Sequence, residues 1–238
     1  MADKDVKLFM AQILDQTDRH EDMVQTMNEI VDEGGELNPD ERNLLSVAYK
    51  NIVGARRNGL RMVTAIIDHE EGRGNTQRVE ELNKYRNTIL EELKKYCNQL
   101  IGIVDSKLLP SAKDAESRVF YEKLKADYYR YICESSVETD KAEPANKAKE
   151  CYEKAMDIAK NEIAPSRPTS LGLILNYSVF LYEIIGQKQD AIELAQKTYN
   201  DCSTSVDDNS DNSYSEATMI LQLLRDNVSL WTQDAPDE

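Results

Sequence analysis

The stretch ERNLLSVAYKNIVGARRNGLRM (residues 41–62) carries three cations on one face of a predicted helix. Its apolar residues recur at every third or fourth position and no proline interrupts it, which is typical of an amphipathic helix. Arg57 and Arg61 follow Lys50 by seven and eleven residues, so at 3.6 residues per turn the three side chains form one stripe. Gly54 lies on the same stripe and leaves a gap in it. Such a stripe could bind an anionic group. In the simpler interpretation, the stripe is only a cationic helix face exposed to water.

A further cation lies among aromatic residues in KLKADYYRYI (residues 123–132). Asp127 precedes Arg130 by three residues, the spacing at which helical neighbours pair, and Tyr131 follows Arg130 directly. The guanidinium group could bind a phosphate bidentately, with the tyrosine hydroxyl as a further donor. Alternatively, Arg130 could pack its stem over tyrosines at the edge of the core. The residue types alone leave both interpretations open.

Two apolar helical stretches, LGLILNYSVFLYE (171–183) and MILQLLRDNVSLW (219–231), each carry an amide on one face. The first face contains Asn176, Val179 and Glu183, and the second contains Ile220, Leu223, Asn227 and Trp231. An amide on such a face is hydrogen-bonded inside a core in the simplest interpretation. If the faces line a groove instead, the amides could bind a peptide backbone while the apolar side chains pack against the peptide.

The composition limits the classes of partner and of chemistry. The 238 residues include 29 Lys and Arg against 44 Asp and Glu, a formal net charge of −15. A field of this sign repels nucleic acid and anionic membranes, so we expect neither as a partner. The two histidines, His20 and His69, lack the spacing of a metal site, and no phosphate loop, nucleophile elbow or HExxH motif occurs. We therefore predict no catalytic activity, no metal and no cofactor.

The cysteines and the N-terminal stretch predict the compartment. Cys97, Cys133, Cys151 and Cys202 form no CxxC pair, which favours buried thiols in a reducing environment. The first residues carry early acids and lack the apolar core of a signal peptide. No run approaches the roughly 18 to 20 consecutive apolar residues of a membrane span. We expect a cytoplasmic protein, with the nucleus as a second candidate location.

Nine glycines and six prolines leave long uninterrupted helical patterns, and no alternating β-branched run predicts a strand. The predicted helices, about nine in number, lie at approximately 3–18, 20–33, 39–70, 76–106, 112–136, 145–162, 168–185, 188–203 and 213–232. Short connections predict antiparallel neighbours in a single domain over residues 1–238, with a polar loop at 205–213 and a short C-terminal tail at 232–238. Alanine and tyrosine spacings in the second half leave a tetratricopeptide-like array as an alternative architecture.

Four strings resemble the signature segments of the 14-3-3 family, and the resemblance runs collinearly from about residue 6 to Trp231. These strings are RNLLSVAYKNIVGARR (42–57), DYYRYI (127–132), LGLILNYSVFLYEI (171–184) and LQLLRDNVSLW (221–231). The resemblance implies nine antiparallel helices per subunit, a cup-shaped dimer, and a concave amphipathic groove. It also implies an adaptor without catalytic activity that binds phosphoserine or phosphothreonine segments of partner proteins and regulates their activity, localisation or interactions. A tetratricopeptide-like scaffold that binds unmodified peptides is the alternative function.

The resemblance assigns residues to each part of this groove. The phosphate would be bound by Lys50, Arg57, Arg130 and Tyr131. The contacts to the peptide backbone match Asn176 and Asn227, with Glu183 and Lys123 as further polar contacts. The apolar wall matches Leu175, Val179, Ile220, Leu223 and Trp231.

The dimer interface would lie in the N-terminal helices, about residues 3–90, in a homodimer or, where isoforms exist, a heterodimer. The matching interface residues are Ile13, Arg19, Val63, Ile66, Tyr85 and Glu92, with Arg19 and Glu92 as an ion pair. Thr88 stands where the family has a lysine that pairs with Asp22, while Gly59 and Leu60 replace a serine and a tryptophan. We therefore expect a dimer that dissociates at higher dilution than is usual for the family.

Overall fold

The computed structural model of the chain describes residues 2–203 and 211–233, and these contain nine helices longer than one turn and no strand. The helices are α1 (Ala2–Gln16), α2 (His20–Asp32), α3 (Pro39–Gly72), α4 (Thr76–Ile103), α5 (Ala115–Ser135), α6 (Ala142–Glu162), α7 (Pro168–Phe180), α8 (Lys188–Cys202) and α9 (Asp211–Gln233). The predicted all-α fold is confirmed. Of the predicted polar loop, residues 211–213 belong to α9 and 205–210 lie outside the described residues, as do residues 234–238 of the predicted tail.

Two helices continue through a π-helical turn that the sequence pattern did not predict. Helix α4 runs on through Val104–Leu108 into a last turn at Leu109–Ser111, so the helical path extends past the predicted end at 106. Helix α7 continues through Leu181–Ile185 and stops at Gly186, whose φ of 76° is left-handed. Glycine adopts this conformation without the steric cost that a side chain would add, which is why the helix ends there.

The chain divides into two compact units. The N-terminal unit comprises Met1–Ser111 and Ser135–Val137, and the C-terminal unit comprises Ala112–Glu134 and Glu138–Glu238. The expectation of one domain over residues 1–238 stays a prediction.

In the N-terminal unit, α3 packs against α1, α2 and α4. A capping box starts α3: Oδ1 of Asn38 accepts from the backbone N–H of Glu41 at 3.0 Å, and Oε2 of Glu41 accepts from the backbone N–H of Asn38 at 3.1 Å. Pro39, at the first helical position, has its φ already fixed for a helix. Leu45 and Ile52 are fully buried on the inner face, so the helix is anchored by that face.

In the C-terminal unit, α7 packs on α6, α8 and α9. Its Leu173 and Phe180 belong to a core cluster with α5 and α6, and its Leu171 to a second cluster with α8 and α9. A helix buried on several sides needs apolar residues all round, and the segment Pro168–Ile185 does reach a mean hydropathy of 1.2 over 18 residues. By length and composition alone this segment would also suit a membrane span, and a third of it, including Leu171, Leu173 and Leu181, is buried within this unit.

Candidate functional site

The predicted phosphate-binding residues of the N-terminal unit lie on α3. Lys50 is exposed and Arg57 is half-buried. At Gly54, between them, an added Cβ would meet nothing within 4 Å, so this part of the stripe is open. Arg61, the third cation, is exposed and donates to Oδ1 of Asn58 at 3.2 Å. The stripe predicted from the spacing is therefore present on the helix, with the predicted gap in it.

The neighbouring Arg56 is held by two carboxylates. Its Nη2 pairs with Glu21 at 2.8 Å and its Nε with Glu92 at 3.0 Å, and its guanidinium lies 5.3 Å from the centre of the Tyr96 ring. Arg56 thus serves the packing of the N-terminal unit.

In the C-terminal unit, the Arg130 side chain on α5 is almost completely buried. Its Nη1 donates to Oε1 of Glu134 at 2.9 Å, its Nε donates to the hydroxyl of Tyr152 at 3.4 Å, and its Nη2 lies 3.7 Å from Oδ1 of Asp127. The guanidinium also lies 4.9 Å from the centre of the Tyr131 ring. The predicted pairing of Arg130 with Asp127 and its packing against a tyrosine are therefore confirmed, and the binding of a phosphate by Arg130 stays a prediction.

Asp127 is the centre of this polar cluster. It accepts a hydrogen bond from Nζ of Lys123 at 2.9 Å and another from the hydroxyl of Tyr152 at 2.5 Å. The side-chain amide of Asn176 donates to both of its oxygens at 2.9 Å. Burial by itself would raise the pKa of Asp127, but the charges of Lys123 and Arg130, with these hydrogen bonds, lower the pKa below its ordinary value. Asp127 is therefore a buried carboxylate that stays ionised.

The ionised Asp127 in turn helps to keep its neighbours Arg130 and Tyr152 protonated. Burial would lower the pKa of Arg130, but Tyr152, Asp127, Tyr131 and Glu134 together raise the pKa above its ordinary value. Burial, followed by the charge of Asp127, raises the pKa of Tyr152 well above its ordinary value, so its hydroxyl keeps its proton and donates it. The guanidinium is consequently charged and held in one orientation, with donors left over from the five that it carries.

Sequence reasoning found part of this cluster. The pairing of Asp127 with Arg130 was predicted from their spacing of three residues, and Glu134, four residues after Arg130, has a spacing that could have shown its role. Tyr152 was missed, because it contacts Asp127 across 25 residues of chain and no local pattern links the two.

The predicted groove residues of α7 and α9 differ in their exposure. Leu175, Asn176, Val179, Ile220 and Asn227 are half-buried, while Glu183 and Leu223 are exposed. Trp231 is only 4% exposed and stacks on Tyr182, with ring centres 4.5 Å apart and planes 9° from parallel. Trp231 is thus a core residue of the C-terminal unit, whereas Leu223, 45% exposed, presents an apolar side chain to its surroundings.

The residues predicted for a dimer interface also divide by exposure. Ile66 and Tyr85 are exposed apolar side chains, Ile13 is half-buried, and Val63 is buried in a cluster with α4. Phe9 on α1 is 59% exposed, and the sequence pattern did not single it out.

Both members of the predicted interface ion pair have partners within the chain. Arg19 pairs with Asp22, and Glu92 pairs with Arg56. In the part of the chain that the structure describes, no three His, Cys, Asp or Glu side chains form a group that could hold a metal ion.

Comparison with known proteins covers nearly the whole chain. The family model described as 14-3-3 protein matches residues 10–232. The chain is 44% identical to 14-3-3 protein 5 of Solanum lycopersicum over 99% of this chain and 93% of the relative. It is 42% identical to 14-3-3 protein 3 of Entamoeba histolytica over 97% of this chain and 96% of that protein. It is also 43% identical to the checkpoint signal transducer rad24 of Schizosaccharomyces pombe, over 96% of this chain and 84% of the relative. These matches, together with the all-α fold, show that the chain belongs to the 14-3-3 family.

Proposed function

We propose that the protein is an adaptor that binds phosphoserine- or phosphothreonine-containing segments of partner proteins and regulates their activity, localisation or interactions. Proteins of the 14-3-3 family are adaptor and regulatory proteins rather than enzymes, and the chain belongs to that family. The observation that carries the proposal is the Arg130 cluster, in which a buried guanidinium is kept charged and oriented by Asp127, Glu134 and Tyr152.

Lys50, Arg57, Arg130 and Tyr131 are the proposed phosphate-binding residues. A phosphorylated side chain carries about −1.5 to −2 charges at neutral pH and three strong acceptor oxygens. The three cations match this charge. Together with the tyrosine hydroxyl they donate charge-assisted hydrogen bonds to the phosphate oxygens. Because the Arg130 guanidinium is already held in place, ordering it costs little conformational entropy when the phosphate binds.

Asn176 and Asn227 are the proposed contacts to the peptide backbone. A carboxylate only accepts hydrogen bonds, so the amide nitrogen of Asn176 must face Asp127, where it donates to both oxygens. Its carbonyl oxygen is left to accept a hydrogen bond from a peptide N–H. Glu183 and Lys123 would add polar contacts, and Lys123 is fixed by its bond to Asp127.

The apolar wall comprises Leu175, Val179, Ile220 and Leu223, with Trp231 as support through its packing in the core. Exposed or half-buried aliphatic side chains of this kind select among the peptide side chains that flank the phosphorylated residue. The net charge of −15 sharpens the selectivity further, since extended polyanions are repelled while one positioned phosphate is bound at short range.

The protein is also proposed to form a dimer through its N-terminal unit, as a homodimer or with isoforms. Exposed apolar side chains on three helices of that unit support this proposal: Phe9 on α1, Ile66 on α3 and Tyr85 on α4. Burying them against a second subunit would remove apolar surface from water. The cytoplasm, with the nucleus as a second location, is the proposed compartment.

A pull-down from a cell lysate tests the adaptor proposal. Phosphatase treatment of the lysate before capture should abolish the binding of most partner proteins, and treatment with phosphatase plus its inhibitor should restore it. A tetratricopeptide-like scaffold would capture the same partners from both lysates. Unchanged capture after complete dephosphorylation would therefore contradict the proposal.

A further inference from the structure

The exposed side of α9 carries a methionine beside the proposed apolar wall of the groove. Met219 is 64% exposed, and Leu223, four residues later, is 45% exposed. Residues four apart lie on the same face of a helix, so these two side chains are neighbours. Leu230, which is 56% exposed, lies on the same face two turns further on. An exposed apolar stripe therefore runs along α9, with the thioether of Met219 at one end.

Contacts of the next residue place this end of the stripe beside α7. Ile220 packs against a core cluster of α7, α8 and α9, as do Leu175 and Val179 of the apolar wall. A Cβ added at Gly172 on α7 would lie 3.8 Å from Cδ1 of Ile220, so the two helices approach closely here. Met219 thus lies next to the apolar wall with most of its side chain exposed. A peptide that packs against the wall would also contact Met219.

The thiols of the chain, in contrast, are protected from oxidants. All four cysteine side chains are buried. Burial raises the pKa of the Cys133 and Cys202 thiols, and it raises the pKa of the Cys151 thiol to about 11. The thiolate is the form that reacts with peroxides, and buried thiols of this kind hold little of it at neutral pH. An oxidant in solution is therefore expected to react at exposed thioethers first.

Exposure also separates the methionines from one another. Met23 and Met27 are fully buried in the N-terminal unit, where Met62 is 66% exposed. In the C-terminal unit Met156 is half-buried, so Met219 offers its sulfur to solvent more openly. Met219 therefore combines an accessible thioether with a position beside the proposed peptide contacts.

We propose that Met219 is a reversible oxidation site whose sulfoxide weakens the binding of phosphopeptides, an inference that rests on the proposed function. The sulfur attacks one oxygen of hydrogen peroxide, and the S–O bond forms as the O–O bond breaks. The proton on the transferred oxygen moves to the leaving hydroxide, which departs as water, so sulfur loses two electrons and the peroxide gains them. The sulfoxide is polar and replaces an apolar contact, and methionine sulfoxide reductases convert it back to the thioether.

The affinity for a labelled phosphopeptide, measured by fluorescence anisotropy before and after peroxide treatment of the full-length protein, tests the proposal. Losing the apolar contact of one or two methylene groups corresponds to about 4- to 15-fold weaker binding. Wild type should weaken by this factor, and methionine sulfoxide reductases should restore its affinity. Unchanged affinity after complete oxidation of Met219 would overturn the proposal. A failure of the untreated protein to bind the phosphopeptide would instead contradict the proposed function.

Matched variants assign the effect to one residue. Each variant is compared with its own affinity before treatment, so any direct effect of the substitution cancels. Met219→Leu should lose no affinity on treatment, because leucine contains no sulfur. Met62→Leu is the control, since Met62 is equally exposed but belongs to the N-terminal unit, and it should lose as much affinity as wild type. An equal loss in Met219→Leu and wild type would mean that the damage lies elsewhere.

Peptide mapping by mass spectrometry measures the oxidation rate at each methionine and tests the contact itself. A bound phosphopeptide should slow oxidation at Met219 and leave the rate at Met62 unchanged. Met23 and Met27 should stay unoxidised in both samples, because they are fully buried. If Met219 oxidises equally fast with and without the phosphopeptide, the residue does not contact the peptide and the proposal is wrong.

Discussion

The side-chain amide of Asn176 donates to both carboxylate oxygens of Asp127, at 2.9 Å to each. Asp127 also lies beside the guanidinium of Arg130 and accepts the hydroxyl proton of Tyr152 in a hydrogen bond. One buried carboxylate therefore holds both the arginine proposed to bind phosphate and the amide proposed to bind the peptide backbone. We therefore expect the two proposed functions of the C-terminal unit to be coupled through Asp127, which itself should contact neither phosphate nor peptide.

We predict that Asp127→Asn destabilises the protein by about 3 to 5 kcal/mol, because it leaves the buried charge of Arg130 and the half-buried charge of Lys123 incompletely paired. Chemical denaturation followed by circular dichroism measures this loss. The control is Glu162→Gln, which breaks the more exposed pair with Arg118 and should cost only about 0.2 to 1 kcal/mol. Similar losses in the two variants would show that the Asp127 cluster adds no particular stability.

The stability contributed by Asp127 should also depend on pH. Because its pKa is lower in the folded than in the unfolded protein, the contribution is fully present above the unfolded value, about 3.9, and is lost as the pH falls through the folded pKa. The difference in unfolding free energy between wild type and Asp127→Asn should therefore be constant from pH 7 to about pH 5 and shrink below pH 4. A difference that grows toward acid pH would have the wrong sign for this account.

Tyr152→Phe should weaken phosphopeptide binding several-fold although Tyr152 is fully buried, since it removes the hydroxyl that joins Asp127 to Arg130. Tyr49→Phe is the matched control. The Tyr49 hydroxyl, also fully buried, donates to Asn28 at 2.9 Å in the N-terminal unit. Both variants should lose about 1 to 3 kcal/mol of stability, but only Tyr152→Phe should lower the affinity. Fluorescence anisotropy with a labelled phosphopeptide distinguishes them, and equal affinities would exclude a positioning role for Tyr152.

Asn176→Ala should weaken all phosphopeptides by about the same factor, because a contact to the peptide backbone does not depend on sequence. Leu223→Ala should instead change the ranking of the peptides, because Leu223 offers an exposed apolar side chain. A panel of phosphopeptides that differ only in the residues around the phosphoserine compares the two variants. A sequence-selective effect of Asn176→Ala would refute the assignment of this residue to the backbone.

Thr88→Lys should strengthen the proposed dimer a few-fold, since an exposed ion pair contributes about 0.2 to 1 kcal/mol. Thr88 is exposed on α4, and its hydroxyl donates to the backbone oxygen of Lys84 at 3.2 Å, so the site is open to a longer side chain. Sedimentation over a dilution series measures the dissociation midpoint, with Thr88→Gln as a control of similar size without charge. If the midpoint of Thr88→Lys equals that of Thr88→Gln, a charge at this position is irrelevant to dimer strength.

Local patterns predicted the helices and the cationic stripe, because spacing along a helix decides which side chains share a face. The pairing of Asp127 with Arg130 was visible for the same reason. The Tyr152 contact and the stacking of Trp231 on Tyr182 depend on helices that are distant in sequence, and no local period encodes them. Tyr152 lies in a stretch of the second half whose alanine and tyrosine spacing resembles a helical repeat. That spacing does not predict that Tyr152 is buried or that its hydroxyl contacts Asp127.

Lys50, Arg57, Arg130 and Tyr131 are proposed to bind the phosphate of a partner protein. The most direct measurement is the affinity of one phosphoserine peptide and its unphosphorylated form for wild type, Arg57→Ala and Arg56→Ala. Arg56 is the matched control, since it is the adjacent arginine and is already held by two carboxylates of its own unit.

Only the phosphorylated peptide should bind wild type. Arg57→Ala should keep its helical circular dichroism and lose about 2 to 5 kcal/mol of binding free energy, at least tenfold in affinity, while Arg56→Ala should still bind. Binding of the phosphopeptide to Arg57→Ala at wild-type affinity, or equal binding of the unphosphorylated peptide to wild type, would contradict the account.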